Sequence, residues 1–531
     1  MKKSLALVLG IILGIALAAP AFAASPIEFE GYVKVFHENL SNFQRRAENP
    51  LDRESFFWNR FEIAATFKPN DNVLVFWQFR GPDFQRWGAG GTELATRAVY
   101  GEMSFDFGTV RGGHIVEGLP GTVGGLASLG YAPAWGTEGL LYVMPFDYNS
   151  PVDALTFDNK WDLTNGHKFG LAVYYDKIGT NFDNSNLIPG AYPVGITAFT
   201  DTEALDPAKD QDYDVFGVEG TYEWDTGGFS LGVEYQRNNT DPAVEKDYAM
   251  FVNPAFVQSF GPFAIHFEGK IGWGKRTYNR DLVPENVANW IAVDYLGGEP
   301  GSWNYGIENK GLGLYLDGVY TYDQGDLTIA GWYVTGSNMN EKRGSLNSLV
   351  DLGDFAPFLV AFNGQTLGNG QFSDVLGAGW MGGTGNSVFE GWTPDGSVDA
   401  IGYNVGQKNQ WGIGILGNHT IIPDKISMNY GLGYFRLAKP SLVWVGDDNG
   451  GYYAAPFVQS GDPSPFRYQS KDLGWEIDLG FTFFIFENVY LETQIGYMFN
   501  GDAFEYWDDD AKAWKDPKDT FAWANVLAFQ F

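Results

Sequence analysis

The sequence contains no cysteine, which excludes disulfide bridges, thiolate metal sites and c-type haem attachment. Basic residues are scarce, because 34 Lys and Arg stand against 65 Asp and Glu and give a formal net charge of −31. A surface this acidic is not suited to nucleic acid. Charged residues make up only 19% of the chain, whereas 69 glycines and 17% aromatic residues are typical of many strands joined by turns.

Catalytic chemistry has little support in this sequence. It contains five histidines and has neither a Gly-x-Ser-x-Gly nucleophile motif nor a His pair at metal-binding spacing. The acidic runs at 201–214 and 507–519 could offer carboxylate oxygens to Ca²⁺, but they lack regular ligand spacing and fit solvated surface better. We therefore predict no catalytic residues, no resident metal, no cofactor and no enzymatic activity.

The one long apolar run lies at the amino terminus. Lys2 and Lys3 precede an apolar stretch at 5–19, and the small-x-small sequence Ala-Phe-Ala follows at 21–23. This pattern predicts a cleaved secretory signal peptide at 1–23, with an anchoring helix as the alternative. No later segment resembles a spanning helix. A mature protein that lives in a membrane would then need a closed β-barrel, the other fold that satisfies every backbone polar group there.

The last eleven residues predict a strand between lipid and a lumen. One face is large and apolar and the other is small or polar, because side chains alternate along a strand; the large face consists of Phe521, Trp523, Leu527, Phe529 and Phe531. The terminal Phe531 with Phe529 two positions earlier resembles the signal that barrel assembly machinery reads on outer-membrane precursors. We therefore predict localisation in the bacterial outer membrane, with its lipid and that machinery as partners.

A repeating pair of strands joined by a short turn and followed by a long polar stretch runs through the chain. Hairpin-type sequences mark eight short turns, at 68–72, 106–109, 164–167, 225–228, 260–262, 324–326, 423–425 and 486–488. With strands at 27–37 and 521–531, the total is eighteen. Sixteen is the alternative, because 97–120 and 245–260 alternate least clearly. The predicted fold class is an all-β, transmembrane antiparallel β-barrel with short periplasmic turns and long extracellular loops.

A soluble β-sandwich would also show alternation, but it would expose Lys and Glu opposite its large residues. Here the small face is rich in Gly and carboxylates. Aromatic residues crowd the strand ends, where an interfacial girdle would lie; the examples are Trp224, Trp411, Trp475 and Trp523. The pattern favours the barrel.

Residues 96–120 carry the most specific resemblance. They are similar to the general-porin pattern of an Arg-led strand ending in Gly, a short turn, Phe-Gly-Thr-Val and a strand closing on Gly; the matching residues are Arg97, Gly101, Phe107, Gly108, Val110 and Gly113. His114 stands where the pattern usually has Arg. Residues 157–176 resemble the strand pair that follows the third loop. Likeness to the Gram-negative general (trimeric) porins implies a homotrimer and a third loop, near 115–153, folded into the barrel.

The same resemblance implies a charged constriction in the pore. Its basic wall would consist of Arg60, Arg80 and Arg111, which have inward parity on neighbouring strands. Its acidic side would come from the third loop, through Glu117, Glu138 and Asp147. In general porins such an arrangement sets up a transverse field that orients polar solutes.

Most other inward positions are acidic, namely Glu62, Glu102, Glu219, Glu223, Glu234, Glu268, Asp317, Glu476, Asp478 and Glu492. Carboxylates lining a pore favour cations. The alternative is that these are paired lumen charges without a selective role.

The function predicted from sequence is a porin that passes small hydrophilic solutes passively and prefers cations. A substrate-specific channel for sugars or acidic oligosaccharides is the alternative, because aromatic residues also have inward parity; these are Tyr32, Phe36, Phe76, Tyr100, Tyr174, Tyr315 and Tyr490. The long outer loop near 337–408 would be a lid for such a channel or a surface domain. A structural or adhesive barrel is the third reading.

Overall fold

A computed structural model describes the strands and parts of the loops. The described residues are 27–41, 53–86, 95–116, 126–130, 151–180, 212–238, 244–278, 306–336, 345–346, 350, 355, 357–361, 409–439, 442–445, 452–454, 467–468, 470–508, 511, 513–516 and 518–531. The predicted signal peptide lies outside these ranges and stays a prediction. Of the long loops predicted at 115–153 and 337–408, only short parts are described.

Eighteen antiparallel strands form the body of the protein. They are β1 (Ile27–Ser41), β2 (Arg53–Asn70), β3 (Val73–Arg86), β4 (Ala95–Phe105), β5 (Gly108–Val116), β6 (Pro151–Asp162), β7 (Lys168–Thr180), β8 (Asp212–Trp224), β9 (Gly227–Asn238), β10 (Val244–Phe260), β11 (Phe263–Tyr278), β12 (Gly306–Tyr322), β13 (Gly325–Val334), β14 (Gln410–Ile422), β15 (Ile426–Leu437), β16 (Asp472–Phe486), β17 (Val489–Asn500) and β18 (Thr520–Gln530). Each strand pairs with the next one along the chain.

The barrel closes where β1 pairs with both β2 and β18. The terminal residue takes part, because the Phe531 N–H donates to the Gly31 carbonyl at 3.0 Å and the Gly31 N–H donates back at 2.9 Å. Closure leaves no strand edge unpaired in the wall. The predicted fold class is confirmed, and so is the count of eighteen strands, since both weakly alternating regions form strands (β4, β5 and β10).

All eight predicted short turns join consecutive strands at one end of the barrel, here called the turn end. Two of them show the left-handed backbone that tight hairpins need: Asn165 has φ 73° with Gly166 at 78°, and Asp424 has φ 59°. The opposite end, the loop end, carries the long connections. In outer-membrane barrels the short turns face the periplasm and the long loops face outward.

The outer face of the barrel is an apolar belt. Large hydrophobic side chains on alternate positions of almost every strand are exposed there, for example Leu155, Val218, Ile265, Ile329 and Ile477. Aromatic residues flank the belt, including Trp475 and Trp523 among the predicted girdle. A closed barrel with such a belt is the architecture of outer-membrane proteins, so the predicted outer-membrane localisation is confirmed.

Smaller elements decorate the loop end. Ser345–Leu346 runs parallel to β12, Leu442–Val445 pairs with Tyr452–Ala454 and Arg467–Tyr468, and Tyr506–Asp508 pairs with Ala513–Lys515. Short 3-10 turns lie at Ala127–Leu129 in the third loop, at Thr164–Gly166 in the turn-end hairpin of β6 and β7, and at Asp502–Phe504 between β17 and β18. Within the described ranges, no helix is long and apolar enough to span a bilayer.

Candidate functional site: the barrel lumen

The inner face of the wall carries charged and polar side chains. These alternate along each strand with the exposed apolar ones, because successive side chains point to opposite faces. Every lumen carboxylate predicted from sequence lies on this inner face and is buried or half-buried. On β16 and β17, Glu476, Asp478 and Glu492 have exposed fractions of 0%, 4% and 1%.

Arg80 and Glu62 form the first charged group of the wall. The Arg80 Nε donates to Glu62 Oε2 at 2.8 Å, across the pair β2–β3. The Gln78 amide donates to the other Glu62 oxygen at 2.7 Å, and the Tyr32 hydroxyl donates to Oε2 at 3.1 Å. Arg60 lies on the same inner face, directly opposite Lys34 in the β1–β2 register. Glu62 is therefore held by three donors and is fixed in place.

Arg111 forms a second group, separated from Arg80 by strand β4. Its Nε donates to Glu102 Oε2 at 2.7 Å, and its Nη1 donates to Asp158 on β6. The guanidinium is thus shared between carboxylates on both neighbouring strands. Sequence reasoning missed Asp158, although its alternation with Thr156 and Lys160 on one strand places it inward.

The three arginines of the predicted basic wall do lie on the inner face. Their neighbours, however, differ from the loop acids that the sequence led us to expect. Arg80 and Arg111 contact carboxylates of the wall itself. The loop acids expected to face them, Glu117, Glu138 and Asp147, lie outside the described residues. The transverse arrangement of charges across the pore stays a prediction.

A short piece of the third loop lies against the inner wall. Leu126 is fully buried, and the Ser128 hydroxyl donates to Glu219 Oε2 on β8 at 2.7 Å. Leu129 packs over Gly228 on β9, where an added Cβ would lie 2.9 Å from the Leu129 Cδ2. Residues 126–130 therefore contact the inner face of β8 and β9.

Residues 357–361, here called the lumen segment, contact the wall on the other side of the barrel. Their exposed fractions are between 0% and 1% for Phe358, Leu359, Val360 and Ala361. Three successive backbone N–H groups donate to two wall carboxylates: Leu359 to Asp478 at 2.8 Å, Val360 to Glu476 at 2.5 Å and Ala361 to Glu476 at 2.7 Å. Buried carboxylates need such donors, and here the loop backbone supplies them.

Glycines of the wall leave room for the side chains of the lumen segment. The Phe358 ring lies over Gly414, Gly431 and Gly433, where an added Cβ would come within 3.0, 3.0 and 2.6 Å of ring carbons. Gly496 leaves room for Leu359 and Val360 in the same way. Phe435 packs edge-on against Phe358 at a centroid distance of 5.1 Å. The wall and the lumen segment are thus complementary in shape and in hydrogen bonding. The alternation of residues along the strands did not predict this contact.

The inner wall between these two contacts carries further polar groups. On β11 and β12, Asp317 accepts from the Tyr315 hydroxyl at 2.7 Å and contacts His266 Nδ1 at 2.5 Å. Glu268 lies beside them, with an exposed fraction of 4%. On β6 and β8, Lys160 forms an ion pair with Glu223.

The inward aromatics differ in their accessibility. Phe36, Tyr174, Tyr315 and Tyr490 are buried, with exposed fractions of 0–7%. Phe76 and Tyr100 stack at a centroid distance of 5.1 Å and are half-buried. Their inward parity agrees with the structure, but the buried members do not present open faces for a sugar to slide along.

The terminal aromatics lie on the outer face. Phe529 and Phe531 are 42% and 54% exposed and lie at the turn end of β18. Phe531 also covers Gly31 on β1, where an added Cβ would lie 3.0 Å from the Phe531 ring. Their predicted role as an assembly signal is untested by this geometry.

Taken together, fold and lumen define a membrane-spanning barrel with a charged interior. No family model matches the chain, and no curated protein matches it. Solved structures similar in fold include OccAB1 of Acinetobacter baumannii (10% identity, TM-score 0.45, covering 95% of this chain and 96% of that one). OccK8 (OprE) of Pseudomonas aeruginosa has 9% identity and a TM-score of 0.43, covering 95% and 98%. The trimer form of Vibrio cholerae OmpT has 7% identity and a TM-score of 0.36, covering 96% and 100%.

Proposed function

We propose that the protein is an outer-membrane porin, a water-filled channel through which small hydrophilic solutes diffuse passively. One observation carries the proposal: an eighteen-stranded closed wall is apolar outside and charged inside. Barrels of this strand number enclose an aqueous passage unless it is filled. A charged inner face is stable only against water or polar partners. The proposed activity is transport without catalysis and without a cofactor.

The passage is narrowed from two sides in this proposal. The third loop, near 115–153, would be held against β8 and β9 through Ser128 and Leu126. The long loop near 337–408 would be held against β14 to β17 by the lumen segment and its three backbone hydrogen bonds. In this reading the long loop is a constriction rather than a surface domain.

The channel is proposed to prefer cations. The wall carries many inward carboxylates, and two of its inward arginines are already bound to wall carboxylates, Arg80 to Glu62 and Arg111 to Glu102 and Asp158. The remaining acidic side chains leave a negative lumen in a chain of net charge −31.

The protein is also proposed to be oligomeric, as a trimer by its porin resemblance. Supporting this, the outer face of β17, β18, β1 and β2 carries polar side chains between the aromatic ends of the strands. Asn525 contacts His37 at 3.1 Å, and His37 contacts Ser55 at 3.1 Å. Polar groups facing hydrocarbon are costly, so this face is better explained by contact with another subunit.

Planar-bilayer recordings of the purified barrel test the porin proposal and its narrowing. The parent should give stable ohmic openings. Gly433→Ala should raise the single-channel conductance, because the added methyl group occupies the space of the Phe358 ring without changing any charge. Glu476→Gln with Asp478→Asn should act in the same direction by weakening the hydrogen bonds to the lumen segment.

Gly318→Ala is the matched control, since nothing lies within 4 Å of an added Cβ there, and its conductance should equal the parent's. A correctly inserted parent that conducts nothing would overturn the porin proposal. Parent-like openings in both sets of lumen-segment variants would overturn the constriction alone.

A further inference from the structure

Three inward carboxylates descend the inner wall of β7 to β9 from the loop end. Asp176 on β7 lies opposite Val215 on β8, Glu234 on β9 lies opposite Gly217, and Glu219 lies on β8 itself. Measured along β8, successive members are two residues apart, which is roughly 7 Å of strand. We call Asp176, Glu234 and Glu219 the acidic ladder.

Two members of the acidic ladder have hydrogen-bond donors. Glu234 accepts from the Tyr174 hydroxyl at 3.0 Å and from the Gln236 amide at 2.6 Å. Glu219 accepts from the Ser128 hydroxyl of the third loop at 2.7 Å. Both carboxylates therefore accept hydrogen bonds from neutral donors.

Asp176 is different. Its side chain is 94% buried, since its exposed fraction is 6%, and its Oδ1 atom has no hydrogen-bond partner. A buried carboxylate oxygen without a donor is rare and costly, and it calls for a missing partner. The partner that a carboxylate beside two others would take is a cation.

Strands β6 to β9 do not supply that cation, and the inward Lys270 on β11 lies over the Phe251 ring of β10. On the inner face of β6 to β9, within the described residues, the basic side chains are Lys160 and Lys168. Both lie at the turn end, and Lys160 is bound to Glu223 there. Lys168 precedes Asp176 by eight residues on one strand, which is roughly 26 Å. Lys177 and Arg237 lie closer to Asp176 in the strand register but belong to the outer face, where both contact Asp214.

The Tyr174 ring lies beside the acidic ladder. Tyr174 lies flat across Gly217, where an added Cβ would be 1.9 Å from the Tyr174 Cζ, and its hydroxyl reaches Glu234. Neighbouring carboxylates are suited to an alkylammonium group, which donates up to three charge-assisted hydrogen bonds. A chelated metal ion fits less well, because no group of three or more His, Asp or Glu side chains in the described part of the chain is placed to hold one.

We propose that the acidic ladder is a binding subsite for amine-bearing organic cations inside the channel. An ammonium group binds Asp176 near the loop end and passes to Glu234 and then to Glu219, where the third loop contacts the wall. The inference deepens the proposed porin function by naming the solute class that its lumen recognises.

The test uses 1,4-diaminobutane as the probe and 1,4-butanediol as its uncharged counterpart. In planar bilayers the diamine should reduce the K⁺ current through the parent at concentrations where the diol does nothing. Asp176→Asn should raise the half-blocking concentration about tenfold, the effect of losing roughly 1.4 kcal/mol. Asp153→Asn, which removes an exposed carboxylate from the outer face of β6, should leave the block unchanged.

Thermal unfolding of the detergent-solubilised barrel separates binding from transport. The diamine should raise the unfolding temperature of the parent and not that of Asp176→Asn. Without ligand, Asp176→Asn should be at least as stable as the parent, because it removes a buried charge that lacks a donor.

Equal block and equal stabilisation of parent and Asp176→Asn would overturn the subsite. So would a marked loss of stability in the ligand-free variant, since it would show that Asp176 has a structural partner. A parent that binds the diamine but conducts no current would instead refute the porin proposal and leave the subsite standing.

Discussion

Individual outward side chains indicate which part of the outer face contacts lipid and which part would contact another subunit. His37 and Asn525 face outward at the middle of β1 and β18, yet they hydrogen-bond each other and Ser55 rather than presenting apolar groups. On the other side of the barrel, outward positions such as Val233, Ile265 and Leu316 are apolar and exposed. We therefore place the proposed subunit contact on this polar face.

His37→Leu with Asn525→Leu should therefore weaken subunit association while leaving each barrel folded. Leucine removes the cost of exposing these polar groups to lipid in the separated barrel, and each ~1 kcal/mol removed shifts the oligomer–monomer equilibrium roughly fivefold toward the monomer. Chemical cross-linking in mild detergent, followed by electrophoresis, measures the oligomer fraction. Val233→Leu on β9 is the control and should behave as the parent. An unchanged oligomer fraction, or a parent that is monomeric, would show that this face meets lipid.

Residue identity predicted inward and outward positions well but predicted their partners poorly. Alternation along one strand suffices to place Glu62, Arg80 and Arg111 on the inner face. Their contacts depend on register between strands, which a one-residue shift would change. Asp158 therefore appears as a partner of Arg111 only once β5 and β6 are aligned.

At the level of elements, the last strand completes the wall. β18 pairs with β17 along its length and with β1, so each of its neighbours would become an open edge without it. Phe531 adds backbone hydrogen bonds to Gly31 and covers that residue with its ring. Closure and the proposed assembly signal thus lie in the same few residues.

Phe531→Ala, and more strongly deletion of 529–531, should lower the amount of barrel inserted in the outer membrane. The comparison is the heat-modifiable, membrane-inserted fraction of each variant. Phe521→Ala provides the control, because it removes an aromatic ring from the outer face at the other end of the same strand and should insert as the parent does. Equal insertion of Phe531→Ala and parent would count against a special role for the terminus.

The strands and their turns follow from local sequence, whereas the contacts of the loops do not. Turn sequences such as 164–167 and 423–425 specify hairpins on their own, because their backbone demands Gly, Asn or Asp. The lumen segment instead depends on groups 116 residues away, since Val360 binds Glu476. The segment packs over glycines on three strands, Gly414, Gly433 and Gly496 among them. No local sequence pattern predicts that these glycines form one contact surface.

For the whole molecule, charge is distributed so that three environments coexist on one sheet. The belt is apolar, the lumen is mainly acidic, and the outward rim at the loop end mixes signs, as where Asp214 contacts Lys177 and Arg237. In the proposed channel, a solute in transit meets the lumen charge. Because about 0.1 M salt screens charges over roughly 10 Å and 1 M salt over about 3 Å, its influence should be greatest in dilute solution.

The central claim, a negative and water-filled lumen, is tested most directly by the reversal potential of the open channel in a KCl gradient at low salt. The parent should show cation preference. Neutralising Arg60, Arg80 and Arg111 should increase that preference, and Glu62→Gln with Glu102→Gln should reduce it, because both sets lie on the inner wall. A reversal potential showing anion preference in the parent would contradict the account.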